Sequence, residues 1–231
     1  MQCLMARKAV ICWSGGKDCA WALHEVRRLG SFEVVAAVTS LAAPAGNVAM
    51  HGVSRALIEA QLASAGLKPI FANLSWPCPN PAYEAAMGTA FDEAKSLGAS
   101  VCIFGDLFLR DIRSYREAQL APLGLEASFP LWGVDTAKLA RTMIGAGLEA
   151  HIACIDLKAL EPEFAGRRYD LQFLRDLPAG VDPCGENGEF HSFVWDGPML
   201  AKPIDVMPGT LSMEEGFARV ELKPGDRSDR C

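Results

Sequence analysis

One stretch constrains this chain more than any other: Cys12-Trp13-Ser14-Gly15-Gly16-Lys17-Asp18-Cys19. It follows an apolar run, Ala9-Val10-Ile11, and opens a segment with helical spacing through Ala20, Leu23, His24, Val26 and Arg27. A strand, a Gly-Gly turn and a helix start, in that order, build an anion site. The first N–H groups of the helix have no intrahelical partner, and the helix dipole adds partial positive charge there. Adjacent glycines let the backbone approach a phosphate with no Cβ in the way. Lys17 adds a point charge, and Asp18 is placed to hold a metal ion carried by the phosphates. A plain βα turn explains the glycines but not Ser14, Lys17 and Asp18 gathered around them. A Walker A loop is excluded, because it needs Ser or Thr directly after Gly-Lys and a glycine farther upstream. The Rossmann fingerprint is excluded as well, since no third glycine falls in place.

The rest of the chain supplies a parallel sheet for this loop to sit on. Residues 7–13 read as a strand and 17–29 as a helix closed by Gly30. Strands follow at 33–40, 69–74 and 101–104, with helices at 52–65 and 81–97 between them. Strand–helix alternation with short turns predicts an α/β fold, a parallel sheet with helices on both faces. Ligands of such sheets lie beyond the carboxyl ends of the strands. Ser14 to Asp18, Ser40 with its loop, Leu74-Ser75 and Gly105-Asp106 all fall there. After Asp106 the texture changes to a charged helix at 111–120, then Pro130-Leu131-Trp132, a helix at 136–146 and a strand at 151–157. The reading is a first domain over 1–132, a smaller α+β domain over 133–222, and a frayed tail over 223–231.

With 231 residues, half of them hydrophobic, the chain can bury a sizeable core. A net charge of −6 without a basic stripe argues against nucleic acid as partner. Residues 34–54 lack charge, but Pro44, Gly46, Asn47, His51 and Gly52 break them, so they read as a strand entering a loop rather than a membrane span. The eight cysteines form no C-x-x-C pair. No secretory leader is read at the start, so the expectation is a cytoplasmic protein with free thiols.

A second unusual stretch is Asp182-Pro183-Cys184-Gly185-Glu186-Asn187-Gly188-Glu189-Phe190-His191-Ser192-Phe193. Glycines bracket a tight turn at Glu186 and Asn187, and a strand follows. Period two would place Glu189, His191 and Phe193 on one face. A carboxylate beside an imidazole, with Glu186 on the adjoining turn, is suited to bind an amine, hold a metal or move protons. A polar hairpin with a surface ion pair fits the spacing equally well.

Ser14-Gly15-Gly16-Lys17-Asp18 resembles the pyrophosphate loop of the ATP pyrophosphatases, with Cys19 where that family has a hydroxyl. Together with Gly105-Asp106, Arg113, Glu117, Pro130-Leu131-Trp132 and Gly185-Glu186-Asn187-Gly188-Glu189, the chain resembles the diphthine–ammonia ligase family, bacterial branch. The resemblance implies a HUP-like nucleotide domain and an AMP-forming ligase that adenylates a carboxylate and transfers ammonia to it. It implies ATP on Ser14, Gly15, Gly16, Lys17, Asp18, Cys19, Ser40, Gly105 and Asp106, with Mg2+ on Asp18. Lys17, Asp18, Glu186, Glu189 and His191 would carry the chemistry, and Arg113, Glu117, Trp132 and Asn187 the substrate. The partners would be ammonia, a small-molecule or protein-borne carboxylate and, in a homodimer, a second copy of the chain. Asn187 in place of a glycine, and His191 after Phe190, argue for a substrate other than diphthine. Two further readings are a pyrophosphate-loop enzyme of tRNA modification and a non-catalytic nucleotide sensor. Dispersed cysteines weigh against sulfur transfer, and a sensor leaves Glu186, Glu189 and His191 without purpose.

Overall fold

A computed structural model describes residues 6–43, 46–48, 52–75 and 77–225. Cys3, His51, Cys231 and most of the expected tail lie outside the described residues, as does part of the loop after Ser40. Strand β1 (Lys8–Cys12) is the centre of the first sheet, and Ala9, Val10 and Ile11 are fully buried, as a strand covered on both faces requires. It feeds α1 (Lys17–Leu29), which stops where Gly30 turns left-handed and donates its N–H to the Arg27 and Val26 carbonyls. β2 (Glu33–Ala42) pairs parallel with β1 and antiparallel with the short β3 (Asn47–Val48). Ser54 caps α2 (Arg55–Ala65), and β4 (Lys68–Leu74) adds parallel to β2. α3 (Asn80–Ser96), with proline in its first turn, then crosses back to β5 (Val101–Ile103) on the other side of β1. α4 (Arg110–Leu120) leads to β6 (Glu126–Ser128), parallel to β5.

The strand order reverses between β1 and β5, and in such sheets the ligand crevice opens at that switch point. The glycine loop leaves β1 and Gly105-Asp106 leaves β5, so both motifs stand on its rim.

α5 (Thr136–Gly145) connects to a second, antiparallel sheet: β7 (Glu149–Asp156), β8 (Phe190–Asp196), β9 (Val206–Glu214) and β10 (Phe217–Pro224), in the order β8-β7-β10-β9. A short helix, α6 (Leu171–Asp176), sits between β7 and β8. The architecture is the α/β sheet plus smaller α+β unit that the alternation predicts. Three elements differ from the sequence reading. β6 is too short to show a period, and β9 is exposed along almost its whole length, so neither carries an alternating signal. β10 takes in Lys223 and Pro224, which pair with Met207 and Val206 and are not frayed.

The two sheets share one core. Ala20 and Leu23 of α1, Leu57 and Ile58 of α2, and Phe190, Phe193 and Val194 of β8 belong to a single buried cluster. Gln61, fully buried in α2, joins them at the glycine loop. It accepts from Trp13 Nε1 at 2.7 Å and donates to the carbonyls of Gly15 at 3.0 Å and Val194 at 2.6 Å. The Val194 N–H in turn donates to the Gly15 carbonyl at 2.9 Å. Among the described residues no helix is long and apolar enough to cross a membrane.

Candidate active site

A cavity of about 440 Å³ opens at the carboxyl ends of β1, β2 and β5, and the turn before β8 closes it from the second sheet. Ser14, Gly16, Lys17, Asp18, Cys19, Ser40, Gly105, Asp106, Glu186 and His191 all line it. Ten of the residues expected from the sequence thus converge on one space, although 177 positions of chain separate Ser14 from His191.

The loop is built by close approach. Gly15 has φ +84°, and a Cβ there would stand 2.7 Å from Ile58 Cδ1. At Gly105 a Cβ would lie 2.7 Å from both the Asp18 carbonyl carbon and the Cys19 nitrogen, so the end of β5 packs directly on the first turn of α1. Gly105→Ala is expected to displace that turn and destabilise the protein by about 1–3 kcal/mol, the usual cost of overpacking. Thermal melting checks it, and an unchanged midpoint refutes the packing argument. Cys19, at the family's hydroxyl position, is buried and donates Sγ–H to the Gly16 carbonyl at 3.1 Å, with Ser14 Oγ 3.7 Å away. It holds the loop in shape.

Lys17 does not reach outward as the sequence suggested. Its backbone N–H donates to Ser192 Oγ at 3.1 Å. Its ammonium, 2% exposed, donates to Asp18 Oδ2 at 2.9 Å and to the Cys184 carbonyl. The rings of Phe190 and Tyr169 lie 5.2 and 5.7 Å from it. Burial works against its charge, yet Asp18 and the groups around it outweigh burial and raise its pKa. Burial likewise raises the Asp18 carboxyl, with Lys17 opposing. Asp18 Oδ1 is buried and has no hydrogen-bond partner among the described residues. No group of three His, Cys, Asp or Glu side chains stands together as a metal site among them either. One orphaned carboxylate oxygen beside a phosphate-type loop fits Mg2+, which binds through one or two carboxylates plus substrate phosphates.

The turn from the second sheet is held by its own carboxylates. Asp182 Oδ1 accepts from the N–H groups of Cys184 at 2.8 Å and Glu186 at 3.3 Å, and its Oδ2 from Thr136 Oγ1 at 2.6 Å. Glu189, 8% exposed, accepts from the Asp182 N–H at 2.9 Å and from the Asn187 N–H and Nδ2, both at 3.0 Å. The structure therefore places Glu189 and Asn187 inside the turn, away from the cavity lining. Glu189 does not join His191 on the cavity wall as the alternation suggested. It precedes β8 and spends its oxygens on the turn's own N–H groups.

Glu186 reaches across instead. Its Oε1 accepts from the Leu107 N–H at 2.7 Å and the Phe108 N–H at 3.3 Å, tying the turn to the loop after β5. Burial pushes its carboxyl up to about 7, against the pull of those two N–H groups. A carboxyl that titrates near neutrality in a cleft is suited to proton transfer.

Arg113, Glu117 and Trp132 are brought together, but outside the cavity lining. Arg113 Nε bonds Glu117 Oε1 at 2.8 Å, and its guanidinium stands 4.8 Å from the Trp132 ring and 5.0 Å from Phe129. The arginine that lines the cavity is Arg116, together with Tyr83 of α3. Its signal in the sequence was the i,i+4 spacing to Leu120, the buried residue of α4.

These features define an α/β protein with a cleft at the switch point of its parallel sheet, closed by an antiparallel second sheet that contributes a titrating carboxyl. Residues 135–223, which hold all four strands of the second sheet up to Lys223, match the family model of the diphthamide synthase C-terminal domain. A diphthine–ammonia ligase of Danio rerio is 32% identical over 109 residues, covering 44% of this chain and 41% of that protein. Both findings support the family to which the motifs point.

Proposed function

We propose that this protein is an ATP-dependent, AMP-forming amide ligase that adenylates a carboxylate other than diphthine and transfers ammonia to it. The observation that carries this reading is the single cavity in which the glycine loop and Asp18 of one sheet meet Glu186 of the other. ATP would lie with its triphosphate on the α1 N-terminus. Mg2+ held by Asp18 would neutralise charge on the departing pyrophosphate. Lys17 acts through Asp18, whose Oδ2 it holds. An acceptor carboxylate oxygen attacks the α-phosphorus, and the bond to pyrophosphate breaks. Glu186 in its ionised form takes a proton from ammonium, and the freed nitrogen displaces AMP from the acyl carbon. His191, which also lines the cavity, would relay that proton.

Incubation with ATP, ammonium and a panel of carboxylic acids, followed by nucleotide chromatography, tests the chemistry. AMP and pyrophosphate are expected, and ADP as the main product overturns the proposal. A second measurement addresses Asp18 alone. Magnesium should tighten ATP binding to the wild-type protein, and Asp18→Asn should remove about tenfold of that gain, the weight of one charged contact. Calorimetric titration with and without a chelator reads it, and an equal magnesium effect in both proteins removes Asp18 from the metal site.

A further inference from the structure

We propose that two copies of this chain pair edge to edge along residues 210–214 of β9, antiparallel about a two-fold axis at Ser212, so that their second sheets become one. The inference concerns the edge of that sheet opposite β8 and is independent of the ligase reading.

β9 is the last strand of its sheet, and among the described residues no other backbone bonds its outer edge. Every residue from Met207 to Glu214 is exposed. Edges of this kind are ordinarily blunted by a proline, a bulge or a lysine. The first part of β9 is blunted twice, by Pro208 and by the register shift between Val220 and Leu222 of β10. Thr210-Leu211-Ser212-Met213-Glu214 has none of these devices, and no charge before its last residue. Leu211 and Met213 stand in register with the buried Val220 and Ala218, yet are themselves 41% and 54% exposed. The sheet overhangs its core here, above a groove that Pro162 and Ala165 also line.

The hairpin decides which backbone groups face outward. Glu215 at φ 54° and Gly216 at φ 82° form a two-residue turn of the primed type, whose flanking residues, Glu214 and Phe217, are a hydrogen-bonded pair. Bonded and non-bonded pairs alternate along an antiparallel ladder. Ser212 with Arg219 is then the next bonded pair, and Leu211 and Met213 turn their N–H and C=O groups to the open edge. A second copy satisfies them in one register, with Leu211 of each chain opposite Met213 of the other and Ser212 opposite itself. That register is isologous, as a two-fold contact requires. It sets apolar against apolar on the overhanging face, and Glu214 against Thr210 rather than against another carboxylate. A foreign strand could meet the same backbone groups; the self-complementary register selects a second copy. The overlap is short beside a standard interface of about 1,600 Å², so the dimer is expected to dissociate in the micromolar range.

Sedimentation velocity over a dilution series of the wild-type protein should show dimer giving way to monomer. Met213→Lys, at a side chain already exposed in the single chain, should weaken the dimer about tenfold or more, with an unchanged circular dichroism spectrum. Ser212→Cys puts a thiol on the axis, opposite itself in a non-hydrogen-bonded pair with Cα atoms about 4.5 Å apart, within reach of a disulfide. Oxidation with copper phenanthroline should cross-link this variant well beyond the wild-type background, whereas Thr210→Cys, opposite Glu214, should stay at that background. A wild-type protein that is monomeric at every concentration overturns the proposal, as does a dimer that Met213→Lys leaves at full strength. A dimer that Ser212→Cys does not cross-link overturns the β9 seam.

Discussion

Glu186→Gln is expected to slow amide formation by about a hundredfold or more, the usual contribution of a positioned acid–base group, while ATP affinity stays near wild type. The glutamine keeps an oxygen that can accept from Leu107 and Phe108, so the turn stays docked over the cavity. What is lost is the proton acceptor. With its carboxyl raised to about 7, wild-type activity should climb as pH rises through that value, and the variant should lack this limb. Stability carries the same signature. The folded-state pKa lies above the ordinary 4.5, so the contribution to stability is full below that value and lost as pH rises through about 7. The melting point of the variant should therefore gain on wild type across this window, by an amount reduced by the partial exposure of the group. Undiminished amide synthesis by the variant, with a substrate in hand, would leave Glu186 a tether only.

Lys17→Ala should act mainly on the fold, and strongly. Removing the ammonium strands the Asp18 carboxylate and the Cys184 carbonyl in a buried place and opens a hole beside Phe190 and Tyr169. Breaking one side of a buried pair costs about 3–5 kcal/mol, which for a chain of this size lowers the melting point by about 10 °C. Lys17→Arg would not restore it, because a fork-shaped guanidinium does not fit a compact ammonium site. Differential scanning calorimetry decides the matter. A midpoint within a degree or two of wild type, together with lost ATP binding, would return Lys17 to the phosphates.

The contrast at Lys17 shows where sequence reading stops. The strand, the glycines and the helix start were legible because they are local, and α1 spans the expected residues. The direction of the Lys17 side chain was not, because Ser192 and Cys184, which receive its N–H and its ammonium, lie far along the chain. Glu189 misled for a similar reason. Alternation assigns faces only inside an unbroken strand, and this residue sits in a turn that needs its oxygens for its own N–H groups. Gln61 was hidden in the apolar stripe of α2 between Ile58 and Leu62, where a single buried amide looks like any surface glutamine. Arg116 was masked by its more conspicuous neighbour Arg113, which stacks on Phe129 and Trp132 at the surface.

The bond from the Val194 N–H to the Gly15 carbonyl makes the glycine loop an honorary edge of the second sheet. A cut near Trp132 would therefore not release a miniature nucleotide binder. It would strip the Gly15 carbonyl of its β8 partner, leave the Gln61 amide one acceptor short and bare the Ile58 side chain that Phe193 helps to enclose. Neither piece carries a finished loop, and the two sheets should melt as one unit in a single cooperative transition.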